Sequence, residues 1–232
     1  EVDVVESAQT YLNSLIQSGE LIVPNGVSYT FAGSYENQIR VSKKLAVVLP
    51  LALAIIFLIL YFQFKRVSTT IIVFSGVFVA WSGGFVMLWL YGQDWFFNFN
   101  LFDENIRNLF QMHPVNLSVA VWVGFLALFG IATDDGVIIS TYLDQTFEDR
   151  KPNSIKAVRE AVIHAGKRRI RPAMMTVATT ILALIPVLMS TGRGADVMVP
   201  MAIPSFGGMV FAILTTFVVP IIYSIIREKE LK

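Results

Sequence analysis

Three observations predict an all-α membrane bundle: five transmembrane helices preceded by a small α+β piece outside the bilayer. The chain carries five long apolar runs, its basic residues gather between alternate runs, and a polar, mixed stretch opens it. With 55% hydrophobic residues and a mean hydropathy of +0.63, it is too apolar for a soluble domain with one core. A hydrocarbon layer about 30 Å thick takes about 20 helical residues at about 1.5 Å each.

Residues 1–44 form the extramembrane piece. Val4, Val5, Ala8, Leu12, Leu15 and Ile16 recur at helical spacing, and Gly19 is a stop signal. Pro24-Asn25-Gly26 predicts a turn, and the alternation Val27-Ser28-Tyr29-Thr30-Phe31 predicts a strand ended by Gly33. Ser34-Tyr35-Glu36-Asn37 then reads as the capped start of a helix running into the membrane. So small a piece cannot bury a core alone. The chain also opens inside a helical pattern and without Met, which predicts a portion of a longer protein.

The spans are bracketed by charge. Lys44 and Lys65 enclose 20 uncharged residues, Arg66 and Asp94 enclose 27, Arg171 and Arg193 enclose 21, and Asp196 and Arg227 enclose 30. These runs predict membrane helices over 45–64, 67–91, 173–191 and 199–226, with a fifth over 117–142. Basic residues set the orientation. Thirteen (Lys65, Arg66, the eight between 143 and 172, Arg227, Lys229 and Lys232) lie on one side, against five on the other. The loop 143–172 and the tail 227–232 are therefore expected in the cytoplasm, and residues 1–44 outside. Loop 92–116 is aromatic. Its residues Phe102, Ile106, Leu109 and Phe110 share one helical face, which predicts an interfacial amphipathic helix.

Within the fifth run, Asp134 and Asp135 sit side by side, with no Asp, Glu, Lys or Arg back to Arg107 or onward to Asp144. An ionisable group at bilayer depth costs about 2.5–3.5 kcal/mol on insertion scales, so such pairs mark function. At about 100° per residue, Asp135 flanks the small-residue stripe Ala132, Gly136, Ser140, whereas Asp134 points nearly opposite. Both avoid lipid only if protein surrounds this helix, and five helices are few for that. A carboxylate in low dielectric beside a second one can load and release protons near neutral pH, and the two titrate as a pair. A second stripe of small residues, Gly76, Ala80 and Gly84, suits close helix packing. Thr176, Thr179 and Thr180 share a face; their hydroxyls can bond back to their own helix or reach a neighbouring carboxylate. The run Lys167-Arg168-Arg169-Ile170-Arg171-Pro172 anchors a helix at the cytoplasmic boundary, and one of its arginines can reach inward toward a carboxylate.

Composition excludes other chemistry. There is no cysteine, so disulfides and thiolate metal sites are absent. Two histidines, His113 and His164, stand apart in the sequence, and no nucleophile–base pair or phosphate loop is present, so an enzyme is not expected. The eight methionines suit packing, although thioethers also bind Cu(I)-like ions.

Several motifs together resemble one family. Gly124-Phe125, Gly130-Ile131-Ala132-Thr133-Asp134-Asp135-Gly136-Val137-Ile138, Arg169-Ile170-Arg171-Pro172-Ala173-Met174-Met175-Thr176, Thr191-Gly192-Arg193-Gly194 and Gly207-Gly208-Met209 resemble the end of an RND efflux pump, most closely the heavy-metal branch of the CusA/CzcA type. The resemblance implies the last five of twelve transmembrane helices, preceded by a remnant of the periplasmic porter domain. It implies a proton antiporter of the bacterial inner membrane that is trimeric and works with a periplasmic adaptor and an outer-membrane channel. No cofactor is expected; the metal ion and the protons are substrates. Asp134 falls at the relay position of the tenth helix, with Asp135 as a second candidate. Arg169 and Thr176 match relay positions of related drug pumps, and Met198 matches a metal-path methionine of copper/silver pumps. Two departures stand out: Ala173 replaces a relay lysine of those pumps, and Asp135 replaces an apolar residue. The implied activity is export of Cu(I)/Ag(I) or of Zn, Co or Cd ions. The alternatives are a pump for organic compounds and a non-transporting membrane scaffold.

Overall fold

A backbone in lipid must satisfy its own hydrogen bonds, and here each apolar run has become one unbroken helix. The computed structural model describes residues 2–24, 26–29, 31, 34–101 and 104–230. In chain order these form α1 (Val2–Gln17), α2 (Ser34–Phe64), α3 (Val67–Tyr91), β1 (Asn100–Leu101), β2 (Glu104–Asn105), α4 (Ile106–Leu109), α5 (Val119–Arg150), α6 (Ile155–Leu188) and α7 (Ala195–Glu230). Five of them, α2, α3, α5, α6 and α7, are long and apolar enough to cross a membrane. Internal prolines at 50, 172, 186, 200, 204 and 220 end none of the helices.

The chain divides into two units, residues 1–48 and 49–232. In the first, α1 is followed by irregular backbone. The strand expected over 27–31 does not form at the described residues Val27, Ser28, Tyr29 and Phe31; Thr30 and the predicted stop Gly33 lie outside them. Strand-like alternation needs a partner strand to satisfy its amides. The Tyr29 hydroxyl instead donates to Asn13 Oδ1 of α1 (2.6 Å).

In the second unit, α7 packs on α3, α5 and α6, and α5 packs on α3 and α6. Glycines bring these axes close. A Cβ at Gly83 would stand 2.6 Å from Phe211 Cβ and 2.8 Å from the Gly207 carbonyl oxygen, and one at Gly124 or Gly208 would overlap Met201 or Leu128. The Ser205 hydroxyl donates across this contact to the Gly124 carbonyl (3.1 Å). In α3 the tight contact is made by Gly83 and Gly84; Gly76 touches Thr215 only at ordinary distance. The expected stripe on α3 is thus displaced toward one end.

Two differences from the sequence expectations concern length. The expected cytoplasmic loop 143–172 is mostly helix: α5 runs on to Arg150, Lys151 closes it in the left-handed region (φ 42°), and Ser154 caps α6 by accepting from the Ala157 amide (3.2 Å). Only four residues turn the chain. The reason is amphipathicity: Val158, Ala161, Val162 and Ala165 are buried at helical spacing while Lys156, Arg159 and Lys167 are exposed. Conversely, the expected amphipathic helix of loop 92–116 shrinks to the four residues of α4. The β1–β2 ladder precedes it, and Gln111 at φ 48° follows it. Arg107 ties the loop back to the Gln93 carbonyl and to Asp94 (3.2 Å). Phe102, part of the proposed face, lies outside the described residues.

Candidate functional site

Two hydrophobic clusters fill the bundle, one on each side of the carboxylate pair. The cluster toward the aromatic loop includes Tyr91, Val121, Phe125, Leu128 and Ala132, and the other includes Ile72, Ile139, Leu143, Val219 and Tyr223. On α5, Asp134, Asp135 and Gly136 occupy the seam between them. Gly136 lets α5 close on α3 there: a Cβ would stand 3.1 Å from Val73 Cγ1. Across the bundle, Gly76 of α3 meets Thr215 of α7.

The two aspartates are in different surroundings. Asp135 is 7% exposed, and its carboxylate makes no hydrogen bond or ion pair among the described residues. The charges of Asp134 and Arg169 reach it only through space. Asp134 is exposed, on a stripe with Val123, Ala127, Gly130, Gln145 and Glu148 that no other described element covers. A Cβ at Gly130 would meet nothing within 4 Å. The helical wheel anticipated this split, although not its direction.

The other expected site residues sit apart from the pair. Arg169 is half-buried on α6 without an ion pair among the described residues, and it is Arg168 that donates inward, to the Tyr142 hydroxyl (3.3 Å). Thr176 is exposed and donates back to the Pro172 carbonyl of its own helix (3.2 Å). Thr179 and Thr180 bond back in the same way. Met198, 45% exposed, lies in the first turn of α7. His113 is exposed in the loop with Nδ1 against the Gln111 carbonyl (2.6 Å), and His164 is exposed on α6. Among the described residues no group of three or more His, Asp or Glu side chains is arranged to hold a metal ion.

A polar cluster absent from the sequence reading lies at the basic end of the bundle. The Tyr223 hydroxyl donates to Asp144 Oδ1, and Arg227 Nη2 reaches both that oxygen (3.4 Å) and the Tyr223 hydroxyl (2.9 Å). The guanidinium also lies over the Phe147 and Tyr223 rings at 5.5 and 5.2 Å. Nearby, Arg159 grips both oxygens of Glu228 (2.7 and 3.1 Å). The signals were the i, i+4 pair Tyr223/Arg227 and the i, i+3 pair Asp144/Phe147. Each is local to one helix, and nothing in the sequence joined them.

Residues 5–99 and 110–227 match the AcrB/AcrD/AcrF family, so only the centre of the aromatic loop and the chain ends fall outside the match. The chain belongs to the AcrB/AcrD/AcrF family. Among its relatives are the cation efflux system protein CusA of Escherichia coli strain K12, 33% identical over 237 residues, and the putative cation efflux system protein SilA of Salmonella typhimurium, 32% identical over 232 residues. The cobalt-zinc-cadmium resistance protein CzcA of Cupriavidus metallidurans is 28% identical over 216 residues. These matches cover 97, 97 and 93% of the chain but only 20, 20 and 18% of the relatives. A crystal structure of a heavy metal efflux pump superposes with a TM-score of 0.66 at 29% identity, over 94% of this chain and 19% of that one. The expected membership in the heavy-metal branch of RND pumps is therefore borne out, as a multi-pass membrane chain spanning about a fifth of its relatives' length.

Proposed function

We propose that this chain is the last five of twelve membrane helices of a proton-driven efflux transporter for heavy-metal cations, and that α5 carries half of its proton path. The single observation behind the relay is the contrast on α5: one carboxylate buried without a partner among the described residues, its neighbour exposed on an open stripe that includes Ala127 and Gly130. A lone carboxylate facing lipid is costly, whereas Ala127, Gly130 and Asp134 suit a close helix neighbour supplied by the rest of the polypeptide. Asp134 is the primary relay group and Asp135 its coupled partner. Protonation removes charge from the seam, weakens the pull on Arg169 of α6, and lets α5 and α6 shift against each other. Thr176, exposed on α6, is proposed to add a hydroxyl to the path.

Metal cations are the favoured substrate because the relatives are a cation efflux system protein and a cobalt-zinc-cadmium resistance protein. Met198 is exposed near the outer end of α7, where a thioether can pass a soft ion. No cofactor is required. In this reading the pump is a trimer of the bacterial inner membrane with residues 1–44 in the periplasm, working with a periplasmic adaptor and an outer-membrane channel.

The test uses cells carrying the full-length gene, with metal tolerance and export as readouts. Asp134→Asn is expected to remove proton-coupled export while membrane expression stays normal. Wild-type export by that variant would sink the relay. Unchanged metal tolerance on gene deletion, with lost tolerance to organic compounds, would turn the reading to a drug-type pump.

A further inference from the structure

At the basic end of the bundle the turn between α2 and α3 is two residues long. Lys65 takes the left-handed region at φ 51°, its amide bonding the Tyr61 carbonyl, and Arg66 opens α3. Arg66 does not cap the helix with its side chain. The first helical hydrogen bond runs from the Thr70 amide to the Arg66 carbonyl (3.1 Å), so the amides of Val67, Ser68 and Thr69 point out of the helix start. A cleft of about 360 Å³ lies here, lined by Arg66, Ser68, Thr69, Tyr223, Ile226 and Arg227, with apolar Val67 and Ile72 at its side.

A helix start alone would mean little. Two further observations point to an occupant. Thr69 is only 4% exposed, and its hydroxyl has no hydrogen-bond partner among the described residues, whereas the neighbouring Thr70 hydroxyl bonds back to Arg66 (2.9 Å). The Thr69 hydroxyl is not among the sealed, unpartnered groups of the core; the residue belongs to the lining of the cleft. The Arg66 guanidinium likewise has no ion pair or hydrogen bond among the described residues. No acid lines this cleft; Asp144 and Glu148 line the adjoining one, where Asp144 is held by Tyr223 and Arg227.

We propose that this cleft binds the phosphodiester of an anionic membrane phospholipid. Amides and dipole at the start of α3 favour an anion, Arg66 supplies a matching fork of donors, and the Thr69 hydroxyl gains its missing partner. Phosphate chemistry is shared with free inorganic phosphate. The lipid is favoured because the site stands at the end of membrane-length helices, and because Val67 and Ile71 (53 and 55% exposed) continue an open apolar track along α3 for an acyl chain. The site rests on the membrane reading of the bundle and not on transport.

The experiment uses the full-length protein, delipidated in mild detergent and titrated with short-chain phosphatidylglycerol, phosphatidylcholine or inorganic phosphate, without any ion gradient. Native mass spectrometry reads the bound lipid and a thermal melt reads folding. Phosphatidylglycerol is expected to bind about tenfold more tightly to the wild type than to Arg66→Gln, the loss of one charge-assisted contact. Thr69→Val weakens it to a lesser extent, yet melts like the wild type without lipid because its hydroxyl had no partner to lose. Lys65→Gln, one residue away and outside the cleft, binds normally. Equal loss in Lys65→Gln, equal retention of phosphatidylcholine, or displacement by inorganic phosphate would each overturn the assignment. The readout is independent of export, so failure here and failure of the pump reading are distinguishable.

Discussion

Asp135 and Asp144 lie nine residues apart on α5, yet the fold treats them oppositely. Asp144 is met by the Tyr223 hydroxyl and Arg227, so its charge is compensated where it sits. Asp135 is buried at the seam between two apolar clusters with nothing bonded to it among the described residues. A compensated carboxylate holds helices together; an uncompensated one beside a second carboxylate is the kind of group the proposed relay needs. The contrast separates a charge-compensated cluster at one end of the bundle from the layer proposed to carry protons.

The largest effect that would sharpen this contrast is on export. Asp134→Asn in the full-length protein should abolish it, while Asp144→Asn should preserve it; equal loss in both would erase the distinction. Next, Gly130→Leu should also eliminate most export, because a leucine there blocks the helix neighbour proposed for the open stripe; normal export would mean that the stripe meets lipid. Gly124→Ala should cost about 1–3 kcal/mol in a thermal melt by pushing α5 off the Met201 backbone, and an unchanged melting curve would refute the close approach. Asp144→Asn should lower stability by about 1 kcal/mol as Arg227 loses its ion pair. The smallest effect is expected from Thr176→Val: about a threefold drop in export without any shift in melting, since its only bond is to its own helix. Unchanged export would leave Thr176 with only its bond within α6.

How much was legible beforehand varies by element. Helix α3 spans Val67–Tyr91, the same bounds as the apolar run that Arg66 and the polar turn at Gly92-Gln93-Asp94 bracket. α5 and α6 ran past their expected ends because a charged, amphipathic helix outside the membrane looks like a loop when only charges are counted. The strand at 27–31 and the helix in 92–116 were misread for a common reason. Short periodic patterns form only where a partner surface exists, and local spacing does not carry that information. At the site, the wheel separated Asp134 from Asp135, but only the packing of Gly136 against Val73 decided that Asp135 is the buried one.

The sequence by itself determined the membrane class, the five spans, the family and the position of the carboxylate pair. Each follows from local hydropathy, or from motifs whose residues are near neighbours in the chain. The tertiary structure decided which aspartate is buried, that Arg169 reaches Asp135 only through space, and that Asp144, Tyr223 and Arg227 form one cluster. It also placed Arg66 and Thr69 at a cleft beside α7. These are contacts across tens of residues, and their geometry is set by where glycines let helix axes approach, which no single helix records.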